Sequence, residues 1–151
     1  MSKLIVKNLA IGGTTTAYWA ENIKRHITPN VNHLAFYCGS NDINQGVAEK
    51  IIINQTLTCF EILKTINSSI KISYFSIMKS PQKYNFYNEI DNINNSIKNE
   101  LGEHLYINLN TIINNDPIWY LEDQLHLKQI AYQKMEETLS PTLRNWVFNE
   151  T

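Results

Sequence analysis

The sequence predicts an α/β domain, a mostly parallel sheet covered by helices on both faces. Two observations predict it. Short β-type apolar runs alternate with longer segments along the chain. Within the longer segments, apolar residues recur at helical spacing. Strands alternating with helices imply βαβ units, whose crossovers stack helices on the sheet.

The first run is Leu4-Ile5-Val6, read as a strand; it is too short for the apolar core of a signal peptide. It leaves into "AIGGTTT", where Gly12-Gly13 turns the chain into a helix with a Thr N-cap. The second run, "HLAFYC" (33–38), stops on "GSND". A helical stripe of Ile53, Leu57, Phe60 and Leu63 follows. The third run, "KISYFSIM" (71–78), leaves into "KSPQKYN". Phe86, Ile90, Ile93, Ile97 and Leu101 then form a second stripe. The fourth run, "HLYINL" (104–109), opens a loop from Asn110 to Asp123, long enough to suggest function. Leu127, Ala131, Met135 and Leu139 make the last stripe, and Trp146 and Phe148 are expected to pack back on the body.

The bulk numbers exclude several classes. The 151 residues suit one domain, 1–151, with a single core. Hydrophobic residues at 43% and charged residues at 18% describe a globular chain, not a disordered one. A formal net charge of -1 gives no footprint for nucleic acid and no polybasic patch for a membrane. No run approaches the roughly 18 apolar residues of a membrane span. With no export signal, a cytoplasmic protein is expected. Cys38 and Cys59 sit in apolar contexts and are expected as buried free thiols, without metal-site spacing to other ligands. Asn-Gln-Thr at 54 and Asn-Ser-Ser at 67 match the glycosylation pattern, as chance allows in an Asn-rich chain.

In such sheets the functional crevice lies beyond the carboxyl ends of the strands, so the loops leaving them hold the candidates. Gly12-Gly13 before Thr14-Thr15-Thr16 offers bare N–H groups at a helix N-terminus, suited to a phosphate or an oxyanion, or simply a tight strand-to-helix turn. Asn41 carries an amide able to donate to an oxyanion; the alternative is an Asx-type turn in which Asp42 caps the next helix. Asp123 and His126, spaced i, i+3 at the head of the last helix, allow the carboxylate to hold Nδ1–H and free Nε2 as a general base. Their alternative is a helix cap beside a solvated histidine. His26, His33 and His104 precede or begin strands, at the opposite edge, and are read as structural. Each signal is weak by itself. Their common placement at one edge is stronger.

This ordered set resembles the SGNH (GDSL-like) hydrolases, a family of esterases and acylhydrolases. "VKNLAIGGTTT" is similar to the family's second block, "FYCGSNDI" to its G-x-N-D block, and "EDQLHL" to its D-x-x-H block before a helix. "SIMKSPQKYNFYN" is similar to the stretch between them. The resemblance implies a three-layer αβα fold with a flavodoxin-like parallel sheet. It implies an oxyanion hole from the Gly13 N–H and the Asn41 side chain, with His126 as base and Asp123 as its orienter. The substrate would be a small-molecule ester or acylated compound, with no metal and no organic cofactor.

One block is missing. No G-D-S occurs in the chain, so the family's nucleophilic serine and first strand have no counterpart here. Ser2 falls at the wrong sheet edge, Ser40 adjoins the already assigned Asn41, and nothing orients Thr14, so the nucleophile is unassigned. In a 2-1-3-4-5 strand order the absent strand lies between residues 4–8 and 33–38. Either these two pair directly or a partner fills the slot, and a homo-oligomer covering the open edge is the expectation. A pseudoenzyme or truncated fragment binding an acyl or sugar ligand is the alternative to a working hydrolase.

Overall fold

The computed structural model describes residues 5–148. Three strands, β1 (His33–Phe36), β2 (Lys71–Phe75) and β3 (Leu105–Ile107), form a parallel sheet in the order β1-β2-β3. Helices α1 (Thr16–His26), α2 (Ser40–Asn44), α3 (Glu49–Ile66), α4 (Tyr87–Glu100), α5 (Leu109–Ile112) and α6 (Gln129–Phe148) occupy the connections. Two 3-10 turns, Pro81–Phe86 and Pro117–Trp119, lie in the loops after β2 and α5.

Strand alternation sorts the side chains into two cores. Phe36 aligns with Tyr74, and Tyr74 with Tyr106, so their rings form one row across the sheet. Phe36 and Tyr106 stack on Tyr74 at centroid separations of 6.4 and 6.1 Å, and Phe60 of α3 meets Phe36 edge-on at 5.4 Å. This face is sealed by Ile23 of α1, Leu63 of α3 and Ile90, Ile93 and Ile97 of α4. On the other face, Ile107 of β3 packs with Ala131 and Leu139 of α6, and Phe75 leans on that cluster. Helix layer, sheet and helix layer make the predicted three-layer α/β arrangement.

The predicted α4 stripe is buried from Ile90 to Leu101, while Phe86 stays 38% exposed. In α3 the fully buried apolar positions are Ile52, Cys59 and Leu63, with Ile53 and Leu57 at the margin. Cys38 and Cys59 are buried free thiols. The last helix runs through Pro141 to Phe148. Trp146 does return to the sheet, where Lys71 Nζ sits 5.1 Å from its ring centre, but Phe148 is 42% exposed.

The predicted first strand is the main correction. Leu4 lies outside the described residues; Ile5 and Val6 form no strand and are 94% and 75% exposed. Residues 5–10 pair with nothing, and β1 has a neighbour on one side only among the described residues. A strand persists only where another chain segment takes its N–H and C=O groups. Apolar residues alone do not create that neighbour.

Two positions carry unusual constraints. Gly39 ends β1 with φ +123°, and a Cβ there would stand 2.5 Å from Ile77 Cδ1 in the core. Lys83 is wholly buried on the first 3-10 turn, where, among the described residues, its Nζ donates to Gln82 Oε1 at 3.4 Å. Burial pushes its ammonium down from 10.5 to about 8.

Gly39→Ala is expected to destabilise the fold by about 1–3 kcal/mol, through left-handed strain and overpacking, measured by urea unfolding. For Lys83, the folded chain loses its proton near pH 8 and the unfolded chain near 10.5, so its destabilising effect is full below 8 and fades across that window. Lys83→Met should therefore stabilise at pH 7 by up to about 3 kcal/mol, with the gain over wild type vanishing above about pH 10.5. An equal gain at both pH values would refute burial of the charge as the cause.

Candidate functional site

Parallel strands send their exits to one edge, and a cleft of about 530 Å³ opens there. Gly13, Asn41, Ser80 and His126 line it, together with apolar side chains such as Met78 and Met135.

The glycine turn comes first. Thr15 is the N-cap of α1, its Oγ1 accepting from Tyr18 N at 3.4 Å, as the Thr N-cap reading requires. Gly13 has φ +77°, a conformation open to glycine at no steric cost. Its N–H is given to no group among the described residues. Thr14 is committed: its Oγ1 donates to Ile11 O at 2.8 Å and accepts from Trp19 Nε1 at 3.0 Å.

The "GSND" exit from β1 folds into the short helix α2. Asn41 makes no Asx turn; its Nδ2 donates across to Thr14 O at 3.0 Å. An amide nitrogen has two hydrogens, so one remains for the cleft. Asp42 does not cap its own helix either. Fully buried, it accepts from Thr16 N at 3.0 and 3.2 Å and from Thr16 Oγ1 at 2.6 Å, capping α1 instead. The neighbouring Cys38 thiol is pushed up to about 12 by burial and then by the Asp42 charge, which leaves it inert as a nucleophile.

Asp123 and His126 sit in the turn before the last helix, not in its first turn, since α6 begins at Gln129. Asp123 Oδ1 accepts from the backbone N–H of Leu125 (3.0 Å) and His126 (2.9 Å). Its Oδ2 lies 2.6 Å from His126 Nδ1. A carboxylate only accepts, so Nδ1 carries a proton, and in the neutral form of the ring the lone pair is on Nε2. The His126 ring bond first, then the two backbone N–H groups, hold the Asp123 carboxyl down to about 2. The turn itself is braced. Leu121 N donates to His126 O at 2.7 Å, Tyr120 and Leu127 form an antiparallel bridge, and Gln124 takes a left-handed φ of +58°. A non-glycine residue in that region is held there by its surroundings.

The other histidines stay outside this cleft. His104 Nδ1 accepts from Ile72 N at 3.1 Å, continuing the β2–β3 pairing by one bond, and burial lowers its pKa in keeping with a neutral ring. Ser2 lies outside the described residues, and Ser40 is the first residue of α2 beside the cleft. Reading the sequence missed Ser80, in the flagged loop after β2, and the cleft-facing role of Met135, which the helical stripe assigned to the core. Among the described residues, no group of three His, Cys, Asp or Glu side chains is placed to hold a metal ion. No helix of these residues is long and apolar enough to cross a membrane.

A titration of the Asp123 carboxyl by NMR is expected to show a midpoint near 2. In His126→Ala it should rise only part of the way toward 3.8, because the two backbone donors remain. A full return would mean that the backbone bonds contribute nothing.

No family model matches the chain, and no curated protein sequence matches it. Solved structures do. A carbohydrate esterase family 3 protein from Talaromyces cellulolyticus superposes with TM-score 0.77 at 15% identity, over 92% of this chain and 70% of that one. An acetyl esterase mutant solved with acetate ion gives 0.77 at 16%, over 91% and 70%. A member of the lipolytic G-D-S-L family from Veillonella parvula gives 0.72 at 17%, over 92% and 77%. The chain has the α/β fold of the SGNH (GDSL-type) hydrolases.

Proposed function

We propose that the chain is a hydrolase of ester bonds in small acylated compounds. The observation that carries this reading is the 2.6 Å Asp123–His126 contact on a cleft shared with Asn41 and Gly13. An ionised Asp123 fixes the His126 tautomer and stabilises the imidazolium that forms when Nε2 takes a proton from the attacking hydroxyl. The spare Asn41 N–H and the free Gly13 N–H are donors for the oxygen that gains charge. His126 then returns the proton to the departing alkoxide. The esterase and acetyl-esterase neighbours support a short acyl group as the first substrate to try.

A second reading has its own observation. The 151 residues contain no G-D-S block. Without a nucleophile the same cleft would bind an acyl or sugar ligand and leave it intact. Ligand-induced thermal stabilisation without turnover distinguishes it from the first.

With p-nitrophenyl acetate as substrate, His126→Ala is expected to abolish hydrolysis. Asp123→Asn should lower kcat about 10⁴-fold through loss of the tautomer. Asn41→Ala should cost about 2.7–4 kcal/mol of transition-state stabilisation. Full activity in His126→Ala would remove the mechanism; equal rates for Asn41→Ala and wild type would remove the oxyanion role alone.

A further inference from the structure

We propose that the cleft lined by His126 holds an uncharged alkyl chain of medium length, about six to ten carbons, carried by the ester. The inference rests on the ester-hydrolase reading for the place of the reacting carbonyl. Binding of the chain itself stands apart from that reading.

Three elements wall the cleft with apolar groups. The sheet supplies Ala35 and Phe75, α6 supplies Tyr132 and Met135, and the turn supplies Leu127, next to His126. The sheet residues are there by alternation. Phe36 and Tyr74 point into the first core, so their neighbours Ala35 and Phe75 point to the opposite face. On that face α6 covers Ile107 of β3 through Ala131 and Leu139. Over β1 it leaves Ala35 exposed in mid-strand. Tyr37 and Tyr132, which also line the cleft, are 49% and 53% exposed. Phe75, Leu127 and Met135 are half-buried and pack against the second core. The cleft thus opens onto a hydrophobic core, and a chain lying in it extends that core. A concave surface with an open apolar lining is the usual form of a ligand groove.

Charge narrows the ligand further. Among the described residues, none that lines the cleft is Lys, Arg, Asp or Glu. A phosphate, carboxylate or ammonium group inside it would lose hydration and meet no opposite charge, which is costly. An uncharged chain has no such hydration to lose.

Size sets the length. A volume of about 530 Å³ lies within the range of clefts that enclose whole small ligands. An acetyl group would leave most of this lining in water. Each further CH₂ buried against it should strengthen binding roughly fourfold, until the chain outgrows the cleft. Met78 and Met135 give the lining adaptable surface, suited to a flexible chain.

The test uses straight-chain methyl ketones from butanone to octanone, which carry an ester-like carbonyl but no leaving group. Their affinity for the full chain is measured by calorimetry. A rise of roughly fourfold per added CH₂ is expected. Ala35→Phe sends a ring from an exposed position into the cleft, and Tyr132→Glu puts a charge on its lining. Each, once shown to melt cooperatively, should weaken octanone binding at least about tenfold. A flat series, no saturable binding, or octanone affinity unchanged in both variants overturns the proposal. Turnover then places the chain on the ester. Faster p-nitrophenyl octanoate than p-nitrophenyl acetate puts it on the acyl side; faster octyl acetate than ethyl acetate puts it on the alcohol side; either upholds the proposal. Preference for the short chain on both sides overturns it and leaves the hydrolase reading standing. Octanone binding with no turnover of any ester does the reverse.

Discussion

One buried carboxylate ties the candidate site together. Asp42 leaves the β1 exit and takes both the N–H and the hydroxyl of Thr16, where α1 begins. Gly13 lies three residues before Thr16, and Asn41 lies one residue before Asp42. The bond therefore fixes the glycine turn against the asparagine across a gap of 26 residues in sequence. The Asn41–Thr14 contact repeats the tie from the cleft side. A hydrogen bond to a charged group is worth more than a neutral one, and breaking a buried one costs more still. Loss of Asp42 would release the glycine turn from the β1 exit and so separate Gly13 and Asn41, the two proposed oxyanion donors.

Asparagine performs the same service elsewhere. Asn94 and Asn110 hold both the N–H and the C=O of the β2 exit through their amides. Asn67 gives Nδ2 to Val31 O and takes Ser69 N, closing the turn before β2. A short amide is donor and acceptor at once, so one residue satisfies two groups of an irregular loop. The Asn-rich composition is thus partly the bonding of these loops. It also bears on the Asn-Ser-Ser match at 67, whose amide nitrogen is already committed inside the fold.

The layered α/β arrangement was legible because its signals are local. Helical stripes at Ile90, Ile93 and Ile97 and β runs at 33–36 and 71–75 follow from spacing alone. The glycine turn, Asn41 and the Asp123–His126 pair were legible as an ordered set, and all four line or adjoin the cleft. Three things were not. Whether Leu4-Ile5-Val6 forms a strand depends on a neighbouring edge that no local pattern encodes. The partner of Asp42 lies 26 residues away, so a capping aspartate and a tertiary tie look alike in sequence. Ser80 hid for a similar reason. It lies in a loop whose place on the cleft depends on how distant segments pack, which no local pattern encodes.

The rigidity is unevenly placed, and the pattern follows the chemistry. Gly39 leaves no room for a Cβ beside Ile77, and Ile77 is in turn held by Asn94, so the exits of β1 and β2 are packed closely together. The turn bearing Asp123 is bolted to the second of these through Gln82 and Gln124. By contrast, His126 itself is well exposed, with 69% of its side chain open to solvent. Its orientation therefore comes from the Asp123 carboxylate and not from packing. A base held by one strong charge-assisted bond turns when that charge is removed, whereas a base wedged in a core does not. In the proposed mechanism, Asn41 and Gly13 are thus held by the fold, whereas the aim of the proposed base His126 is set electrostatically. That arrangement suits proton transfer between changing partners, from an attacking hydroxyl to a departing alkoxide, because a small swing about the Asp123 contact serves both steps.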